Sequence, residues 1–126
     1  MQNSTLIASN GRLGWLTGFG QYVEFDEGGR LLGTSDPPAN FTYDHNTATI
    51  ALSDRGDVFL AMDGEDVLAI WSLNKTKNVW TPVDLVDDDY GLENGSKLLG
   101  FEGPDLIALQ GGLERGGFLV RYRRRP

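Results

Sequence analysis

The sequence has no cysteine, which excludes disulfides, thiolate metal sites and a cysteine nucleophile together. It has one histidine, His45, so a Ser-His-Asp arrangement would have to be built around that residue. No apolar run approaches the ~20 residues that a membrane-crossing helix requires, and residues 1–5 show no basic segment with an apolar stretch behind it. Neither a membrane partner nor a leader is therefore expected. Bases are also scarce, with 11 Lys and Arg against 18 Asp and Glu and a net charge of −7. Five of those bases are arginines in residues 114–126, which carry +4 and leave residues 1–113 at −11. A body of that sign repels phosphate backbones, so no nucleic-acid partner is expected. The arginines Arg121, Arg123, Arg124 and Arg125 should dock on acidic surface of the chain itself.

Glycine is plentiful, at 17 of 126 residues, and it breaks the chain too often for long helices. Only two stretches exceed sixteen residues without Gly or Pro, 39–55 and 65–81, and both fit strands better than helices. In the second, a 3.6-residue stripe begun by Val67, Ile70 and Trp71 next falls on Asn74 and Asn78, which a core cannot use. An alternating pattern places Val67, Ala69, Trp71 and Leu73 on one face and Leu68 and Ile70 on the other. Residues 58–62 and 106–109 are apolar on both faces in the same way. Such strands need cover on both sides, so sheets stacked on sheets are implied. Further short strands are expected at 5–9, 13–17, 21–26, 30–34, 47–53, 79–85, 97–101 and 118–123.

Between the strands lie Asn10-Gly11, Glu27-Gly28-Gly29, Asp54-Arg55-Gly56, Asp63-Gly64, Asn94-Gly95, Gly103-Pro104 and Gly111-Gly112, residues that supply positive φ in hairpin turns. Two larger breaks, 36–40 with its Pro37-Pro38 pair and 87–95, divide the chain into three parts. Leu6-Ile7-Ala8-Ser9-Asn10-Gly11 overlays Ile50-Ala51-Leu52-Ser53-Asp54-Arg55-Gly56, and Leu98-Leu99-Gly100-Phe101-Glu102-Gly103 takes the same place in the third part. The period is about 45 residues with up to four short strands, the pattern of propeller blades. The expectation is one all-β domain over 1–126, of antiparallel sheets forming about three propeller-like blades near 5–36, 46–86 and 97–126. A β-sandwich or barrel is the alternative.

Residues 66–83 resemble the last two strands of a kelch-type blade: Trp71 in a third strand, the polar turn Asn74-Lys75-Thr76-Lys77-Asn78, then Trp80 opening a fourth. The resemblance implies a propeller. Three blades do not close a ring of about four to eight. A homodimer of six blades, or the rest of a longer propeller, would supply the missing cover.

No catalytic set emerges. His45 reads as a loop residue, and no nucleophile-elbow pattern accompanies it. Asp87-Asp88-Asp89 with Glu93 has the wrong spacing for an EF-hand and reads as a solvated acidic loop, so no metal site is assigned. Gly18-Phe19-Gly20 and Gly28-Gly29 open no helix and read as turns, and no cofactor is called for. Asn3, Asn40, Asn74 and Asn94 begin N-glycosylation sequons, which polar turns also produce. Of the aromatics, Trp71 reads as core, whereas Trp80 is expected to reach the surface and, with Tyr90, to bind ligand. The function expected is a non-catalytic binding or interaction module for a protein or glycan. The alternative is a carboxylate-dependent enzyme or enzyme subunit, such as a glycan-acting hydrolase.

Overall fold

The computed structural model of the chain describes residues 4–39, 41–64, 68–83, 97–102, 105–110 and 118–122. Turn chemistry decides where the backbone reverses. Asn10 and Gly11 take φ of 45° and 77°, so both central residues of the first turn are left-handed, as a tight two-residue hairpin requires. β1 (Thr5–Ser9) thereby folds onto β2 (Arg12–Leu16) with Ser9 opposite Arg12. At the next reversal the Thr17 hydroxyl accepts from the backbone N–H of Phe19 and Gln21, leading into β3 (Tyr22–Asp26). The Asp26 carboxylate then accepts from the N–H of Gly28 and Arg30 and starts β4 (Leu31–Ser35). Short polar side chains thus close the turns that the glycines permit.

The pattern recurs. β5 (Thr49–Leu52), β6 (Val58–Asp63), β7 (Leu68–Asn74) and β8 (Val79–Pro82) form a second meander. β9 (Lys97–Glu102), β10 (Asp105–Gln110) and β11 (Phe118–Tyr122) form a third sheet. The sheets have the orders β1-β2-β3-β4, β5-β6-β7-β8 and β11-β10-β9, and every pairing is antiparallel. The protein is all-β, with no helix and no closed barrel among the described residues.

Strand alternation then sorts the core into two seams. Val58, Leu60 and Met62 of β6 point with Ile50, Leu52, Trp71 and Trp80 toward Leu16 and Tyr22 of the first sheet. The intervening Phe59 and Ala61 point the other way with Ala51, Leu68 and Ile70, onto Leu106 and Ala108 of β10. Phe59 meets Phe101 edge to face at 5.0 Å across this second seam. The second sheet is therefore covered on both faces, as the two-faced strands over 58–62 and 68–73 require. β1 lies along β5, and β5 along β9, so the first strands of the three sheets run side by side.

The third sheet meets the two-sided expectation only in part. Leu106 and Ala108 are buried, but Ile107 and Leu109, on the opposite face of β10, are half-buried. The placement of Trp80 is corrected. It is 8 % exposed instead of surface-reaching, because Leu73 opposite it on β7 carries it into the first seam, where its ring meets Tyr22 at 6.2 Å and 73°. Trp71 is core, as expected, at 7 % exposed.

Candidate functional site

Of the two residues expected to bind ligand, Trp80 is buried in the first seam instead of reaching the surface. Tyr90 lies outside the described residues, as do the acidic run 87–89 and Arg123, Arg124 and Arg125. Among the described residues the Trp80 Nε1–H is buried without a hydrogen-bond partner, and an orphaned donor costs roughly 1–3 kcal/mol. The cleft beside its seam, lined by Tyr22, Glu24, Leu73 and Lys75 among others, holds only about 60 Å³. That is well under the ~300 Å³ at which small-molecule sites begin.

The same seam carries a buried charge cluster. Glu24 alternates with Tyr22 and Leu16 onto the face toward the second sheet, opposite Gly14 on β2. Tyr22 Oη donates to Glu24 Oε1 at 2.7 Å, and Lys75 Nζ, from the β7–β8 turn, donates to both carboxylate oxygens at 3.0 Å. The Glu24 side chain is 7 % exposed and that of Lys75 38 %. Burial, the hydrogen bond to Glu24 and the charge of Glu24 together push the Tyr22 phenol well above its ordinary value, against the opposing effect of Arg12. Gly14 makes room for this ring, since a Cβ there would stand 2.6 Å from Tyr22 Oη. Every acceptor of Glu24 is engaged by a seam partner, so the cluster acts as a tie between sheets.

The large open surface lies on the other side of the first sheet. Leu6 pairs with Trp15 and Trp15 with Val23, while Ala8 pairs with Leu13, Leu13 with Phe25 and Phe25 with Leu31. By strand alternation these rows share one face, turned away from the second sheet. Leu6 is 66 % exposed, Leu13 38 %, Trp15 37 % and Leu31 55 %, a contiguous apolar face of the kind that marks an interaction site. A shallow concavity of about 660 Å³ opens beside it, walled by Ala8, Leu13 and Phe25 and rimmed by Arg12, Asp26 and Glu27. Arg30 Nε bridges Asp26 at 3.2 Å, and the backbone and side-chain hydrogen bonds from Arg30 hold the Asp26 carboxyl below its usual range.

No protein family, curated protein or solved structure matches this chain. Its site is therefore assigned from geometry.

Elsewhere, Arg121 of β11 reaches Glu102 and Asp105 at 2.9 Å each, which raises the affinity of its guanidinium for the proton. This is the docking on acidic surface expected of that residue. His45 is half-buried in a turn, and no group of three potential ligands gathers around a metal position among the described residues. Sequence reasoning missed Leu6, Leu13, Phe25 and Leu31 as an exposed face. The signal was available, since they occupy in the first repeat the alternating places that Ile50, Val58, Leu73 and Trp80 occupy in the second.

Proposed function

We propose that the chain is a non-catalytic interaction module of three propeller-like blades, related in pattern to kelch-type repeats. One observation carries this reading: two four-stranded meanders and a three-stranded one stack face to face while their first strands, β1, β5 and β9, run side by side. Stacked meanders with adjacent first strands are how blades surround an axis. The binding role is supported by the apolar face of the first sheet, centred on Trp15 and rimmed with charge, the composition of protein interfaces. A glycosidase-like reading needs a carboxylic acid held protonated near a second carboxylate. The buried Glu24 is instead paired with Lys75, and Asp26 is held toward ionisation by Arg30.

The purified chain should be presented to arrays of glycans and peptides, with binding and turnover read on the same ligands. Binding without turnover is the expected outcome. Hydrolysis of a bound glycan would overturn the proposal in favour of the enzyme.

A further inference from the structure

We propose that the outward face of the first sheet docks a second copy of this chain, which covers it with the open face of its own third sheet. The inference rests on the blade-like reading above and names the partner of that face.

Counting outward from the hairpins, the first two sheets correspond position by position. Leu13 and Trp15 stand on β2 where Val58 and Leu60 stand on β6, and Val23 and Leu31 stand where Trp71 and Trp80 do. On the second sheet these positions are sealed: Val58 and Leu60 are 0 % exposed, Trp71 7 % and Trp80 8 %. What seals them is the inner face of the sheet before, together with Phe41 and Tyr43 of the segment between the sheets. The first sheet has the same apolar face with nothing before it among the described residues, so the cover it fits is another sheet of this repeat.

Charge selects which sheet. In the seam between the first two sheets, Glu24 of the covering sheet meets Lys75 from the β7–β8 turn of the covered one. Glu24 stands opposite Gly14, and the residue in its place on the third sheet is Arg121, opposite Ile107. Asp26 ends β3 as Asn74 ends β7, so the residue in the place of Lys75 on the first sheet is Glu27, which is exposed. Both signs are exchanged. The third sheet of one copy therefore presents Arg121 where the first sheet of the next presents Glu27, and the bridge of the internal seam is remade with its charges reversed. Arg121 remains accessible to it, since among the described residues Asp105 engages its Nη1 and Glu102 its Nη2, and its side chain is still 47 % exposed. Half-buried Ile107 and Leu109 supply the apolar part of that face. Contact of the third sheet with the first sheet of another copy, reciprocated by a two-fold axis, gives a closed pair of six sheets.

Sedimentation equilibrium of the 126-residue chain across the micromolar range tests the proposal, with circular dichroism of every variant as the check on folding. The chain should self-associate. Arg121→Glu and Glu27→Arg should each raise the dissociation constant at least about ten-fold, and the double reversal should return it to within about three-fold of the parent. Glu27 is exposed and ends no strand, so Glu27→Arg remains informative if Arg121→Glu disturbs the third sheet. A monomer across the range overturns the proposal, as does a double reversal no tighter than the singles. If that monomer retains the internal contacts of both seams by nuclear Overhauser measurement, the second copy is removed and the module reading stands.

Discussion

Trp71→Ala probes the first seam at its most heavily packed point. Trp71 is 7 % exposed, meets Phe41 edge to face at 4.7 Å and 76°, and shares its cluster with Leu16, Ile50 and Leu60. Truncation returns roughly 150–200 Å² of apolar surface, worth about 4–5 kcal/mol at ~25 cal/mol per Å². Losing the ring pair adds about 1 kcal/mol, and partial collapse of the site subtracts a similar amount, so the expected cost is about 3–5 kcal/mol. Against the ~5–15 kcal/mol of an ordinary domain, that approaches unfolding. Urea denaturation followed by far-ultraviolet circular dichroism avoids reliance on the deleted fluorophore. With a urea slope of ~1–3 kcal/mol/M the midpoint should fall by about 1 M or more. Trp15→Ala, on the outward face, is the control and should cost the dilute monomeric chain no more than ~1 kcal/mol. A Trp71 effect below ~1 kcal/mol would refute burial between stacked sheets.

The Tyr22–Glu24–Lys75 tie yields the remaining predictions. Gly14→Ala drives a methyl to 2.6 Å from Tyr22 Oη and 2.9 Å from its Cε1, so it should destabilise by about 1–3 kcal/mol in urea; an unchanged midpoint would mean that the ring does not sit there. Lys75→Met strands a carboxylate that is 7 % exposed, but the lysine itself is 38 % exposed, so the expected loss is about 1–3 kcal/mol. Adding Glu24→Gln should recover part of it, and a double-mutant cycle with no coupling would dissolve the tie. Tyr22 keeps its proton in the folded state where the unfolded chain loses it, so the stabilisation is complete below pH ~10 and declines as pH rises further. Denaturation titrations above pH ~10 should show that decline, and Tyr22→Phe should reduce it, leaving the smaller part due to Tyr43, whose phenol burial also raises.

The strands were legible because each is bounded by residues with turn chemistry of their own. β1 matches its expected 5–9 limits at both ends, and β6 differs from 58–62 by one residue, because Asn10-Gly11 and Gly56 punctuate whatever the tertiary context. The covering of 58–62 and 68–73 was legible for a related reason: a strand apolar on both faces has no wet side. Trp80 was not legible. Its flanks, exposed Val79, Thr81 and Pro82, describe a surface strand, and only the partner ring of Tyr22, 58 positions earlier in the chain, makes the alternate face a seam. The charge tie was hidden likewise, since Glu24 and Lys75 lie 51 residues apart and read separately as ordinary surface charges. The outward face of the first sheet was written in the repeat overlay, yet locally its leucines look like core.

The most direct test of the stacked-sheet arrangement is a methyl- and aromatic-resolved nuclear Overhauser spectrum of the chain. Both seams must be present at once: contacts from Leu16 to Ile50, Leu60 and Met62 across the first, and from Leu106 and Phe101 to Ala51, Phe59 and Ile70 across the second. Observation of both sets places the second sheet between the other two. Loss of either set, or Leu106 in contact with Leu16 instead of Ile70, would contradict that stacking and the interaction module built on it.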